Sequence, residues 1–444
     1  MAEHSYNRDT IVAAATPAGT GGVAIVRLSG DDAEAIASGI MGDLPEPRRA
    51  QIRLFSGSDN ERIDYGMALY FPGPNSFTGE SVVEFHAHGG PVVVGLLIDA
   101  AMAQGARRAE PGEFSKRAFL NGKLDLSQAE AIADLIGSGT RQAAAAALRS
   151  LTGAFSEVVH ELVLQVRELR TYVEAAIDFP DEDIDFLSDL ALARRIDLCR
   201  EKFDEVTAAA ENGRVLRDGL QVVIMGPPNA GKSSLLNALA GSEAAIVTDI
   251  AGTTRDVLRE HINIDGLAVE LIDTAGLRED PGVIEAEGIR RARSAMESAD
   301  AILWLADVTA SASEPPEVSD ERPVLRVFNK VDLGGQPTGR REEGIFLSAL
   351  TGAGLGELRE ALKSLAGFTS GTEGTVTARQ RHVDALLRAR QHFDTGARAL
   401  SEQVAGEIFA EELRLSLDEL GTITGHISSD DLLGDIFSSF CIGK

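Results

Sequence analysis

The spacing of apolar positions changes along the chain, and each change marks a different kind of element. Up to about residue 122, apolar runs such as Val23–Leu28, Tyr65–Phe71 and Ser81–His86 have the length of strands. Turn signals at Pro72-Gly-Pro74 and His88-Gly-Gly-Pro91 punctuate them, and Val92–Gln104 reads as a helix. From Leu124 to about Gly213 the period lengthens. Alanine, leucine and charged residues recur at i, i+3 and i+4 with few prolines, which predicts helices broken by the acidic stretch Phe179–Asp185. From about 218 to 368 strand-like runs alternate with helical ones. Arg259–Ile264 and Leu267–Ile272 flank Asp265-Gly266, a two-residue hairpin signal. One antiparallel strand is therefore expected in an otherwise parallel sheet. Ser311–Pro323 reads as an acidic loop and Thr369–Thr377 as a linker, after which residues 378–440 return to helix.

This pattern predicts a multidomain chain of α+β and α/β type. Residues 1–122 form one domain, 123–217 with 369–444 a helical domain, and 218–368 an α/β domain inserted into it. The rival arrangement is a pair of separate helical domains.

Composition narrows the function. The net charge of −27 argues against a protein that coats nucleic acid by bulk electrostatics. Arg290, Arg291 and Arg293, and also Arg107 and Arg108, are local basic clusters, read here as solvated faces rather than RNA contacts. With only Cys199 and Cys441 there is no disulfide framework, which fits a reducing cytoplasm. The polar start Met1–Thr10 does not read as a signal peptide, and no run approaches the ~20 apolar residues of a membrane span.

The densest chemistry lies at Gly226-Pro-Pro-Asn-Ala-Gly-Lys-Ser233, between the apolar run Leu220–Met225 and the helical pattern Ser234–Ala240. It fits G-x-x-x-x-G-K-[S/T], a loop whose amides converge on phosphate oxygens at a helix N-terminus. The cradle spans Asn229, Ala230, Gly231, Lys232, Ser233 and Ser234, with the Lys232 charge on phosphate and the Ser233 hydroxyl for magnesium. Asp273-Thr274-Ala275-Gly276 closes the run Leu267–Ile272; it offers a carboxylate toward magnesium and a glycine N–H toward a γ-phosphate. Asn329-Lys330-Val-Asp332 follows Val324–Phe328. The Asp332 carboxylate suits the N1–H and 2-amino donors of guanine, which adenine lacks, and an unpaired buried acceptor rejects the wrong base by roughly 10⁴ or more. Ser348, Ala349 and Leu350 suit a backbone contact to the guanine oxygen. Thr248, Asp249, Ile250, Ala251, Gly252, Thr253 and Thr254 fill the switch position, where a threonine binds magnesium while γ-phosphate is present and releases it after hydrolysis.

Hydrolysis itself needs a special device. Leu277 stands where Ras-like GTPases carry the water-orienting glutamine, and no arginine finger is evident. Asn229 can offer its amide oxygen to a monovalent cation that stabilises transition-state charge; it can equally be a turn residue that tolerates strained dihedrals. Glu285 is a candidate water-orienting carboxylate, and by position alone an acidic residue in the first turn of a helix.

Together with these GTPase motifs, three N-terminal runs and the tail carry a resemblance. They are Thr16-Pro-Ala-Gly-Thr-Gly-Gly-Val-Ala-Ile-Val-Arg27, Phe77-Thr-Gly-Glu-Ser-Val-Val-Glu84, Pro111-Gly-Glu-Phe-Ser-Lys-Arg-Ala-Phe-Leu-Asn-Gly-Lys123 and Cys441-Ile-Gly-Lys444. Over essentially its whole length the chain resembles the bacterial tRNA modification GTPases of the MnmE (TrmE) family. The resemblance implies a dimerising N-terminal α+β domain similar to the folate domain of aminomethyltransferases, followed by a helical domain with an inserted P-loop GTPase domain. It places a tetrahydrofolate, such as the 5-formyl form, at Arg27, Glu84, Lys123 and Lys444. Without it, Glu84 and Lys123 are ordinary surface residues. It places potassium at Asn229, Thr248, Ile250 and Thr253, magnesium at Ser233 and Thr254, and the catalytic carboxylate at Glu285. It implies a homodimer, a heterotetramer with the FAD-dependent partner MnmG, and a tRNA substrate. The reaction implied is addition of an aminomethyl or carboxymethylaminomethyl group to C5 of the wobble uridine. Two departures stand out. Thr20 replaces an arginine usual in the family, and Pro227 makes a double proline that stiffens the phosphate loop without removing an N–H from residues 229–233. Cys441 is read as structural or substrate-proximal rather than as a nucleophile.

Two other functions compete with this one. A pure GTP switch, as in ribosome assembly, usually carries an RNA-binding appendage, and no G-x-x-G loop in a basic context is evident. A folate-dependent one-carbon transferase would use GTP only as a regulator.

Overall fold

The computed structural model describes residues 9–57, 59, 61–178, 190–241, 259–273, 299–310, 322–367, 375–403, 405–426 and 430–443. They fall into two compact units, Met1–Ala133 with Leu417–Lys444, and Asp134–Ser416.

The first unit is built on a six-stranded sheet in the order β3-β4-β5-β2-β1-β6. Its strands are β1 (Ile11–Ala14), β2 (Gly21–Ser29), β3 (Gln51–Ser56), β4 (Arg62–Phe71), β5 (Val82–Gly89) and β6 (Arg107–Arg108). The pairs are antiparallel except β1 with β6. Helices α1 (Ala33–Met41) and α2 (Pro91–Ala103) cover one face, where Val26, Leu28, Ile36, Ile40, Phe55, Phe85 and Leu97 form the core. Proline at the first helical position suits the start of α2, because that N–H has no partner in any helix. Gly66 lets β4 and β5 approach closely: a Cβ there would stand 2.4 Å from the His86 carbonyl oxygen. The opposite face is set by register. Ile52 pairs with Met67, Leu54 with Tyr65, Met67 with His86, Leu69 with Glu84, and Glu84 with Arg27, so these side chains share one side. Ile52 and Tyr65 are 61% and 65% exposed.

Short helix α3 (Glu113–Leu120) and helix α4 (Leu126–Gly137) follow. Leu126 and Ala129 pack with Leu433, Ile436, Phe437 and Phe440 from the C-terminal segment. Gly112, at φ 66, leaves room for the Phe437 carbonyl oxygen, which would lie 2.6 Å from a Cβ. Ile442 then forms a bridge with Pro111. The C-terminal tail thus packs against α4 and the Pro111–Gly112 turn within the first unit.

The second unit joins helices to a seven-stranded sheet. α5 (Arg141–Leu151) is capped by Thr140, whose hydroxyl accepts the Ala143 N–H. α6 (Ala154–Asp178) and α7 (Leu190–Asp218) are long helices. The sheet order is β12-β13-β11-β10-β7-β9-β8. Its strands are β7 (Leu220–Met225), β8 (Arg259–Ile264), β9 (Leu267–Asp273), β10 (Ala301–Asp307), β11 (Val324–Asn329), β12 (Gly339–Arg341) and β13 (Gly344–Phe346). The helices with it are α8 (Lys232–Ala240), the single turn α9 (Val331–Gly334) and α10 (Leu355–Leu365). The expected β8–β9 hairpin is present, with Asp265 and Gly266 at φ 52 and 101. The expectation of one antiparallel strand falls short. β12 also runs antiparallel, against β13, and its polar Gly-Arg-Arg sequence carries no apolar alternation that would announce it. The acidic stretches at 179–185 and 311–321 and most of the 369–377 linker lie outside the described residues.

After the sheet come α11 (Gln380–Gln403), α12 (Gly406–Thr424) and α13 (Asp430–Ser438). Phe393 of α11 meets Phe203 of α7 and Phe409 of α12, with ring centroids 5.4 and 6.2 Å apart. The chain crosses between helices and sheet twice, and both crossings meet at the same place. Arg217, at the end of α7, and Arg379, before α11, each donate to Asp134 Oδ1 at 2.8 Å. The returning segment is strapped to α5 through Ser150 and Thr377. It passes so close to α7 that a Cβ on Gly213 would stand 2.6 Å from the Val376 oxygen.

Candidate functional site

β7 ends at Met225 in the middle of the parallel sheet, and the loop 226–231 leads directly into α8. Three residues of this loop take positive φ: Gly226 at 150, Asn229 at 65 and Gly231 at 96. Glycine is required at two of them on contact grounds as well. A Cβ on Gly226 would lie 2.1 Å from the Leu305 oxygen, and one on Gly231 would lie 2.4 Å from Asn329 Nδ2. Lys232 is 9% exposed, and its Nζ donates to the Gly226 and Pro227 carbonyls at 2.9 and 3.0 Å. Its charge is thereby held over the mouth of its own loop. Ser233 and Ser234 are exposed in the first turn of α8, where N–H groups without intrahelical partners favour anions. Asn229 is exposed, and its positive φ is what the turn interpretation asks for; its side chain is open to a ligand as well.

The 329–332 loop is bonded to the 226–233 loop. Asn329 is 2% exposed; its Nδ2 donates to the Ala230 carbonyl at 2.9 Å and its Oδ1 accepts the Ala349 N–H at 2.9 Å. One side chain therefore ties the 226–233, 329–332 and 348–350 segments together. Lys330, in left-handed conformation, donates to the Asn229 carbonyl at 2.7 Å and to Asp307 Oδ2 at 2.7 Å. That bond from Lys330 holds the Asp307 carboxyl down to about 2. Asp307 is a residue the sequence reading missed, because an aspartate at a strand end announces nothing until its partner is known. Ser348 is buried and its hydroxyl accepts the Thr351 N–H, while Leu350 and Asp332 are exposed. The Asp273 backbone ends β9 alongside β7, in register with Ile224. Thr248, Asp249, Ile250, Ala251, Gly252, Thr253, Thr254, Thr274, Ala275, Gly276 and Glu285 lie outside the described residues, as do Arg290, Arg291 and Arg293.

A second polar cluster occupies the outer face of the N-terminal sheet. Arg27 donates to Glu84 Oε1 through Nε at 2.9 Å and Nη2 at 2.8 Å, and His86 lies 3.2 Å from Oε2. The Arg27 guanidinium lies 5.7 Å from the Phe77 ring centroid and 5.6 Å from that of Phe114. Phe77 is 38% exposed, so an aromatic surface borders the ion pair. Lys123 Nζ donates to the Pro74 carbonyl and Asn121 Nδ2 to the Thr78 carbonyl, which anchors the loop carrying Phe77. Cys441 is exposed, and its carbonyl accepts the Gly112 N–H at 3.4 Å, two positions before Phe114. Cys199, in contrast, is buried, and burial pushes its thiol up to about 11. Lys444 lies outside the described residues.

Next to it, where α3 packs through Phe114 on Ile11 and Ala13, lies a buried charge network that the sequence did not announce. Arg117 is 2% exposed; it reaches Glu80 at 3.0 Å, Glu113 at 2.9 Å and Asp9 at 3.0 Å. Arg107, expected on a solvated basic face, belongs to the same network through Asp9 and Glu113. Its strand position brings it over α3, where carboxylates replace water as its partners. Burial raises the Glu113 pKa, but hydrogen bonds from Arg107, the Glu110 N–H and Arg117 outweigh it and leave the group below its ordinary value. Arg108 stays 65% exposed, 3.5 Å from Asp99.

Residues 126–441 match the family model for the MnmE helical domain, and residues 10–123 match that for the GTP-binding protein TrmE N-terminus. The tRNA modification GTPase MnmE of Alkalilimnicola ehrlichii is 55% identical over 444 residues, covering 98% of this chain and 100% of its own. The protein of that name from Yersinia pseudotuberculosis is 54% identical over 450 residues, with coverage of 98% and 99%. Among solved structures, the G domain of the T. maritima FeoB iron transporter is similar at 27% identity, covering 33% of this chain and 98% of its own, with a TM-score of 0.25. With identity above half across nearly the full length of both chains, the phosphate-loop and guanine motifs stand within a known whole: the chain belongs to the MnmE (TrmE) family of tRNA modification GTPases and is a GTP hydrolase.

Proposed function

We propose that the chain hydrolyses GTP in a potassium-dependent cycle of G-domain pairing, and that this cycle drives modification of the wobble uridine of certain tRNAs. The group added at C5 is carboxymethylaminomethyl or aminomethyl, and the FAD-dependent MnmG shares the chemistry as partner in a heterotetramer. The observation that carries this reading is the joining of the phosphate loop to the N-K-x-D segment by the Asn329 and Lys330 bonds, within a chain so similar to named relatives. That joint holds a site for triphosphate and guanine together.

The roles follow the chemistry of each donor. The amides of residues 229–234 and Lys232 bind phosphates, and Asp332 reads the base, with Ser348, Ala349 and Leu350 beside it. Residues 248–254 and Asp273–Gly276 are the segments that respond to γ-phosphate. Ser233, open on the first turn of α8, suits a hard cation with an oxygen ligand; it holds magnesium together with Thr254. Asn229 holds potassium with Thr248, Ile250 and Thr253, which supplies the positive charge that no arginine finger provides. Glu285 orients the attacking water in place of the glutamine that Leu277 excludes.

Residues 1–122 act as the folate and dimerisation domain, 123–217 with 369–444 as the helical domain, and 218–368 as the inserted G domain. A tetrahydrofolate such as the 5-formyl form fits Arg27, Glu84, Lys123 and Lys444. Glu84 keeps lone pairs for a donor pair on the ring, and Phe77 offers a stacking surface. The apolar outer face at Ile52, Leu54, Tyr65 and Met67 supports a homodimer. Among the described residues no helix is long and apolar enough to cross a membrane, and two cysteines without a framework support a cytoplasmic setting. Reconstitution with MnmG, tRNA, GTP and folate, followed by nucleoside analysis, tests the whole reading. A wobble uridine left unmodified in the complete mixture overturns it.

A further inference from the structure

Asp307 stands outside every GTPase motif of the chain, at the last position of β10. Both of its carboxylate oxygens are engaged. Oδ2 accepts Lys330 Nζ at 2.7 Å, and Oδ1 accepts the N–H and hydroxyl of Thr309 at 2.8 and 2.7 Å. The side chain is 15% exposed. Thr309 fixes the carboxylate, and the carboxylate fixes the lysine. A lysine on a four-carbon stem has many rotamers, and a charge-assisted bond of this kind selects one.

The lysine so held does further work. Lys330 Nζ donates to the Asn229 carbonyl, and the preceding residue, Asn329, donates to the Ala230 carbonyl. Two successive carbonyls of the phosphate loop are thus gripped by two successive residues of the base loop. In a trans peptide the carbonyl and the following N–H share one plane and point in opposite directions. Gripping the carbonyls of residues 229 and 230 therefore sets the planes that carry the Ala230 and Gly231 N–H groups. It also stabilises the left-handed turn at Asn229, a conformation a non-glycine residue adopts at some cost. Asn329 is fixed by burial and by its bond to the Ala349 N–H. The Lys330 side chain is 30% exposed, and Asp307 is what immobilises it.

We propose that Asp307 is a positioning residue for nucleotide binding: it holds Lys330 on the Asn229 carbonyl, so that the phosphate loop is shaped before GTP arrives. This rests on the assignment of residues 226–233 and 329–332 as the GTP site. Asp307 acts on the phosphate loop and not on base recognition, which falls to Asp332 on the exposed turn α9.

Titration of the full-length protein with a fluorescent GTP derivative, and displacement of that probe by GTP and by ITP, tests the proposal. Asp307→Ala is expected to weaken GTP and ITP by the same factor, about ten- to a hundredfold, leaving their ratio as in the parent chain. Asp307→Asn keeps an acceptor for Lys330 and is expected to recover part of the loss. In Lys330→Ala the same Asp307→Ala change is expected to cost less than about twofold, because the two residues act as one unit. Parent-like affinity in Asp307→Ala, a shifted GTP-to-ITP ratio, or losses that multiply fully in the double variant overturns the proposal. If the parent chain itself shows no saturable GTP binding, the site assignment fails instead.

Discussion

At the scale of single residues, the phosphate loop is governed by contacts that leave no room for substitution. A methyl group on Gly231 meets Asn329 Nδ2 and dislodges the bond to Ala230. Gly231→Ala is therefore expected to lower GTP affinity at least tenfold and to cost about 1–3 kcal/mol of stability, read by nucleotide titration and urea unfolding. Glu285→Ala is expected to slow single-turnover hydrolysis about 10²–10⁴-fold with GTP binding intact, the usual worth of a group that positions or deprotonates water. An equal loss in binding would remove Glu285 from the chemical step. The strand–turn–helix shape of residues 226–233 was legible because its constraint is local: glycines, lysine and serine at fixed offsets. Asp307 and Arg117 were not, because each takes its meaning from a partner 23 or 37 positions away. An aspartate at a strand end and an arginine in a helix look like surface residues until the fold closes around them.

Among elements, the same contrast recurs. The β8–β9 hairpin was legible because Asp265-Gly266 supplies the two left-handed residues a tight turn needs. β12 was not, because three polar residues at a sheet edge have no period. Helix α3 is tied to the strands by charge rather than by apolar packing alone. Removing Arg117 leaves Glu80 and Glu113 buried without it, and Arg117→Met is expected to destabilise the N-terminal unit by about 3–5 kcal/mol in urea. The network also carries a pH signature. Hydrogen bonds from Arg107 lead in depressing Asp9, and Glu113 lies below its ordinary 4.5. A carboxylate with a folded-state pKa below its unfolded value contributes stability that is full above the unfolded value and lost as pH falls through the folded one. Thermal melts are therefore expected to hold steady down to about pH 5 and to fall progressively below it, with Arg117→Met showing a shallower fall.

For the molecule as a whole, the outer sheet face and the nucleotide cycle give separate tests of assembly. Tyr65→Glu beside Ile52→Asp is expected to shift sedimentation toward monomer while GTP titration is unchanged, because that face belongs to the other unit. Hydrolysis by the parent chain is expected to run faster in potassium than in sodium; equal rates would remove the cation from the mechanism. The broad order of elements was readable from changes in apolar period, whereas the return of the tail toward Gly112 was not, since Phe437 and Gly112 are far apart in sequence; only the family resemblance, which groups Lys444 with Arg27, pointed to it. The narrow gap between Gly213 and the Val376–Ala378 segment has its own consequence. The chain leaves the helices and comes back through nearly the same point, so the whole nucleotide-binding module can be excised and the two stumps sutured with a handful of residues. Such a deletion is expected to leave a helical core that keeps its α7–α11 seam, checked by circular dichroism and thermal melting, and a scaffold into which another switch can be grafted.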